Sequence, residues 1–185
     1  RTVDYRGACL TPPRSGIEIH LAGRGPRMID LAARVADGFY LSYIHKDFIG
    51  PTVETLRSSS ARPMTVTYST RIVVDDEGFE AARRDLTFRL PDSPPAIHER
   101  LGITPGNVAA LREALASGGP PGAAHLVRDD WVTPFVIAGT RRQCGAELSH
   151  LARNHGFDEF LLPIDDLDRG PELLSDTMAM ISAGA

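Results

Sequence analysis

The residues best equipped for chemistry lie in LAGRGPRM, residues 21–28, where Gly23 and Gly25 bracket Arg24. A glycine has no side chain to hold an anion away from the backbone amides, and an arginine can add a forked, charge-assisted pair of hydrogen bonds. Ile17, Glu18, Ile19, His20 and Leu21 alternate before the turn, and Met28, Leu31, Ala32 and Val35 recur at helical spacing after it. A strand therefore ends here and a helix begins, with the positive end of its dipole at the turn. The chemistry in view is a seat for phosphate or carboxylate. The same residues suit a plain tight turn with Arg24 or Arg27 in solvent, and a short Gly-Arg-Gly does not separate the two.

Other candidates surround this turn. Glu18 and His20 share one face of the first strand, and His20, nearer the strand's end, either touches a ligand or belongs with Glu18 to a satisfied polar layer. His45 and Lys46 follow FYLSY at the rim shared with Arg24, as a phosphate or acidic-tail contact or as a solvated loop. Arg71 stands among β-branched residues and needs a partner or water, and a carboxylate of the neighbouring strand is expected to supply the partner. Asp165, Asp166 and Asp168 resemble a cation site only superficially, because loop solvation and capping before Pro171 account for them. His150 and His155 are five apart and do not share a helix face, and HExxH and GxSxG are both absent. Neither a metal site nor that type of hydrolase is expected.

The elements that must position these groups alternate. A helix from Met28 to Val35 ends at Ala36-Asp37-Gly38, with Gly38 suited to a left-handed cap. Strand Phe39 to Tyr43, helix Asp47 to Arg57 and strand Met64 to Val74 follow. Phe79, Ala82, Leu86 and Leu90 mark another helix. The Pro- and Gly-punctuated region 91–125 reads as an insertion holding a helix from Asn107 to Ala116. Asp129 or Asp130 caps a helix carrying Trp131, Val132, Phe135 and Val136. Thr140 and Gln143 form a capping box for a helix to Asn154, stopped by His155-Gly156. Strand Phe160 to Ile164 and a helix bearing Leu174, Met178 and Ile181 close the chain. Such alternation predicts an α/β fold with a parallel sheet, and its four strands leave a half-barrel or a small open sheet.

With 185 residues, 42% hydrophobic and 24% charged, the chain fits one soluble globular unit. Its net charge of -4 and the lack of a basic run argue against nucleic acid. No apolar stretch approaches a membrane span and no signal-peptide pattern is present, so a cytoplasmic protein is expected. Cys9 and Cys144 lie far apart outside any CxxC and read as reduced thiols. The opening residues Val3, Tyr5 and Ala8 to Leu10 suggest a short extended excursion.

The run IEIHLAGRGPRMIDLAARVADGFYLSY resembles a strand-helix-strand unit of the luciferase-like monooxygenase superfamily, most closely its branch using the deazaflavin coenzyme F420, which includes methylenetetrahydromethanopterin reductases. FVIAGTRRQCGAELSHLARNHGFDEFLLPI, residues 135–164, is similar to that family's IAGT-helix-strand, and TVDYRGACLTPPRSG to the segment entering its fifth barrel strand. The resemblance implies that residues 1–185 are one partial domain, the C-terminal half of a TIM barrel with strands five to eight. It maps cofactor-phosphate contacts onto Ala22, Gly23, Arg24, Gly25 and Pro26, with His20, His45 and Lys46 at the substrate or cofactor rim. The implied activity is hydride transfer between F420, alternatively FMN, and a small organic substrate. Catalytic residues cannot be carried over, because the family draws most of them from strands one to four. A homo-oligomer or a complementary N-terminal half is expected at the exposed sheet edges. The alternatives are a non-catalytic half-barrel that associates with itself or a partner, and an open binding module for another phosphorylated ligand.

Overall fold

The structure is a computed structural model that describes residues 16–165 and 167–184. The opening excursion, Cys9 and Asp166 lie outside the described residues. β1 (His20–Ala22) leads through the glycine turn into α1 (Pro26–Val35), followed by β2 (Gly38–Ser42), a 3-10 turn at Lys46–Phe48, and α2 (Ile49–Ser59). The chain continues with β3 (Thr65–Ser69), β4 (Ile72–Val73), α3 (Asp76–Arg89), α4 (Pro95–Leu101) and α5 (Pro105–Ala123). After α6 (Asp129–Val132) come β5 (Ile137–Ala138), α7 (Arg141–His155), β6 (Glu159–Leu161) and α8 (Gly170–Gly184).

The four expected strands form one sheet in the order β1-β2-β3-β6, and each adjacent pair is parallel. Register pairs Leu21 with Phe39, Phe39 with Val66, and Tyr68 with Phe160, which places these residues on one face. That face packs against Ala32 of α1, Ile49 and Val53 of α2, Leu148 of α7 and Met180 of α8. The opposite face carries His20, Tyr40, Ser42, Thr67, Ser69 and Glu159 and is markedly more polar. Helices on one face and a polar second face describe an arc of a barrel wall rather than an open doubly wound sheet, whose two faces would both be apolar. A second core joins Leu86 and Leu90 of α3 to Ile97, Leu111, Trp131 and Phe135.

Several expectations change. The run 64–74 is two strands, because after Ser69 the chain leaves β6 and pairs β4 with β5, with Ile137 N donating to the Arg71 carbonyl at 3.0 Å. The buried Thr70 hydroxyl donates to the Phe135 carbonyl at this crossing. Val136 is extended rather than helical: α6 stops at Val132, a 3-10 turn over Thr133–Phe135 follows with Pro134 in its first turn, and the chain then straightens into β5. Neither Asp129 nor Asp130 caps α6: they pair with Arg83 and Arg128, and Arg128 holds the cap position. Gly38 opens β2 instead of capping α1, and a Cβ there would overlap the His20 ring. The helix expected from Asn107 starts earlier, at Pro105, under a Thr104–Asn107 capping box and runs on through a kink at Gly119. Region 91–125 also contains α4, which was not expected.

Met28, Leu31 and Val35 point outward, as do Leu174, Met178 and Ile181. Both stripes belong to helices at the ends of the four-stranded sheet, so each end presents an apolar side without a neighbour among the described residues. Among the described residues no helix is long and apolar enough to cross a membrane.

Candidate functional site

Ligand sites of parallel α/β folds lie where strands end and the next helices begin. Ala22 ends β1, Gly25 is the N-cap of α1 and Pro26 is its first residue. Proline sacrifices nothing there, because first-turn amides have no intrahelical partner. No side chain caps α1, and a Cβ on Gly25 would meet open space. The turn thus offers a bare, positively polarised helix end with room in front of it. Gly23 is required for another reason: a Cβ there would overlap the Met28 side chain.

The Arg24 guanidinium is engaged within the protein. Nη1 donates to the Arg89 carbonyl at 3.1 Å and to the Ser93 hydroxyl at 3.3 Å, fastening the turn to the α3–α4 connection. Burial and then the nearby Arg89 charge push its pKa down, against Asp92.

His45 is only 5% exposed. Its ring meets Phe48 and Phe135 edge-on, with centroids 5.7 and 5.6 Å away, and its Nδ1 accepts from the Asp47 amide at 3.2 Å. Burial lowers its pKa against the pull of Asp47, so the neutral imidazole is favoured. Lys46 is ion-paired with Glu147 of α7. His20 lies at the start of β1 on the polar face, over Gly38 and 3.5 Å from the Glu18 carboxylate. The structure therefore brings Ala22 to Pro26 and His45 to one rim, ties Lys46 to a helix, and sets His20 two residues below the turn.

Sequence reasoning did not find the network beside this rim. Tyr43 adopts a positive φ of 47°, a strained conformation for a residue with a Cβ. Its hydroxyl donates to Asp85 of α3, and the Arg89 guanidinium lies 3.9 Å from its ring centroid. Asp85 also takes Arg71 Nε at 2.6 Å, while Asp165 beyond β6 accepts from both terminal nitrogens of Arg71 at 2.6 and 2.9 Å. Asp165, then Asp85, holds the Arg71 pKa up against burial, and Arg71 in turn lowers the Asp165 pKa. The need of Arg71 for a carboxylate was readable; its second partner sits on a helix whose spacing to the strand no local pattern sets.

Two cavities flank these groups. One, of about 480 Å³, has Arg71, Arg84, Arg141, Arg169, Asp165 and Glu172 in its walls, charges of both signs. The other, of about 210 Å³, is lined by Arg24, Ile29, His45, Phe48, Ile97 and Phe135 among others. Among the described residues no group of His, Cys, Asp and Glu could hold a metal ion.

Comparison with known proteins agrees with this architecture. The family model described as luciferase-like monooxygenase matches residues 1–159. The 5,10-methylenetetrahydromethanopterin reductase of Archaeoglobus fulgidus is 31% identical over 149 residues, which are 74% of this chain and 45% of the relative. That of Methanolobus tindarius is 28% identical over 160 residues, 80% of this chain and 49% of the relative. The solved coenzyme F420 dependent tetrahydromethanopterin reductase of Methanopyrus kandleri has the same fold with a TM-score of 0.61 at 23% identity, covering 91% of this chain and 49% of that one. The chain spans about half the length of the curated relatives it matches. On the family match, the parallel sheet and the one-sided helical layer together, the chain belongs to the luciferase-like monooxygenase family.

Proposed function

We propose that this chain supplies the phosphate-holding half of an F420-dependent oxidoreductase, with the phosphate seated at Ala22, Gly23, Arg24, Gly25 and Pro26. The observation that carries the reading is the uncapped N-terminus of α1 at the end of β1, open in front of Gly25. Relatives support F420 by name, since the Methanopyrus protein is called coenzyme F420 dependent. FMN presents a similar phosphate and is the second candidate. When bound, the deazaflavin supplies hydride transfer to or from a small organic substrate.

The chain's own residues bind and orient. Backbone amides of the turn take the phosphate, and the Arg24 contacts to Ser93 and Arg89 keep the turn from shifting. His20 faces the interior that a closed barrel would enclose, and His45 lies beside the seat. The remaining four strands come from a preceding portion of the same polypeptide, a complementary half or a second copy, any of which would cover the outward stripes of α1 and α8.

The test is a fluorescence titration with F420 of the chain alone and together with a complementary half, repeated with Gly25→Asp. Aspartate is a good N-cap, so the variant should keep its thermal stability while its charge repels the phosphate and weakens binding at least about tenfold. An unchanged dissociation constant would move the phosphate elsewhere. Absence of binding in both preparations would favour the non-catalytic half-barrel.

A further inference from the structure

We propose that the cavity of about 210 Å³ between α1, α2 and α4 binds a small uncharged ring compound with one hydrogen-bond acceptor, which takes its hydrogen bond from His45 Nε2. The site adjoins the phosphate seat through Arg24 and Pro26 but does not depend on a cofactor being bound there.

Size and lining set the class. The pocket opens to solvent on one side, so a guest can enter, and an apolar cavity of about 150 Å³ is already enough to take benzene. Ile29, Ile44, Phe48, Ile97 and Phe135 make most of the wall, which suits a ring and opposes a charged group stripped of its water.

The polar groups set the handle. Tyr43 gives its hydroxyl to Asp85, Ser93 gives its own to the Arg89 carbonyl at 2.9 Å, and Arg24 Nη1 is shared between Arg89 and Ser93. His45 Nδ1 accepts the Asp47 amide, so the neutral ring carries its proton on Nε2. That nitrogen has no partner among the described residues, although the side chain is 7% exposed. A donor with so little water around it gains from an acceptor, and a carbonyl or ether oxygen on the guest would supply one.

The probes are acetophenone, ethylbenzene and benzoate, titrated into ¹⁵N-histidine-labelled chain and read by NMR at the His45 side chain. Acetophenone should shift that resonance saturably, ethylbenzene should bind several-fold more weakly, and benzoate should not bind. His45→Phe, which keeps a ring but removes both the donor and the reporting resonance, should bring acetophenone down to the ethylbenzene level when affinity is read by isothermal titration calorimetry of the variant beside the wild-type chain. Ile97→Trp should fill the space and abolish both, with circular dichroism confirming the fold. Equal binding of acetophenone and ethylbenzene would overturn the role of His45. Tightest binding of benzoate would make this an anion site on Arg24, and no saturable shift with any probe would overturn the site itself. A parallel titration with inorganic phosphate, read at the Gly25 amide, tests the phosphate seat separately, so either reading can fail alone.

Discussion

At the scale of single residues, the site rests on side chains whose surroundings change what their types suggest. An arginine between two glycines suggests an anion ligand, yet Arg24 is a tether to Ser93 and the Arg89 carbonyl. Arg24→Ala should therefore lower thermal stability by about 1 to 2 kcal/mol, and should also cost about 1 to 3 kcal/mol of F420 affinity if the guanidinium reaches the phosphate. Thermal melts and fluorescence titration separate the roles: lost stability at unchanged affinity makes Arg24 a tether alone. His45 suggests a rim cation, but burial holds it neutral, with Arg100 and Lys46 opposing charge and Asp47 favouring it. A histidine whose folded pKa lies below its unfolded value stabilises above about pH 6.5 and loses that contribution as pH falls. Replacing it, as in His45→Gln, should flatten the stability difference between about pH 7 and pH 5.5 in urea melts, and an unaltered slope would contradict the burial effect.

At the scale of elements, local chemistry was legible wherever it is self-contained. Thr140 and Gln143 cap α7 reciprocally, and Gly156 ends it in the left-handed region at φ 62°, as their sequence pattern requires. Asp75 caps α3 by accepting the Gly78 amide at 2.8 Å, so Asp75→Ala should cost about 1 kcal/mol by chemical denaturation. Packing between elements was not legible. Gly145 lies where α7 meets the backbone of Met180 on α8, and Gly38 lies under the His20 ring. Gly145→Ala should destabilise by about 2 kcal/mol or more, because neither backbone can yield, whereas Gly38→Ala should cost little, because the half-exposed ring can turn aside. A melting temperature equal to wild type for Gly145→Ala would mean that the two helices are not held at this separation. Strand ends behaved similarly: a β-branched run predicts a strand, but which neighbour it pairs with decides that residues 64–74 split at Thr70 and Arg71.

At the scale of the whole molecule, the sheet is an arc whose polar face holds His20, Thr67 and Glu159 and whose ends expose apolar helix sides. Met178 is 61% and Leu174 54% exposed, on a helix that already buries Met180 against the core. Such surface calls for association, and native mass spectrometry should detect it at micromolar concentration. Leu31→Glu and Met178→Glu should each leave helical content intact and shift the chain towards monomer; a wild-type chain that stays monomeric would remove the case for docking at these stripes. The sequence alone determined the alternation of strands and helices, the Thr140–Gln143 capping box and Gly156 stop of α7, the glycine turn and the family resemblance, because each depends on residues within a few positions of one another or on a chain-long pattern. It left open which helix stripes are covered, since Met28, Leu31 and Val35 have the spacing of a core face whether or not another element covers them. Only the tertiary structure decided that Arg24 turns inward, that His45 is buried and neutral, and that Tyr43, Asp85, Arg71 and Asp165 meet. Those outcomes depend on contacts between residues tens of positions apart, and desolvation and pairing are fixed only when the helices have closed over one face of the sheet.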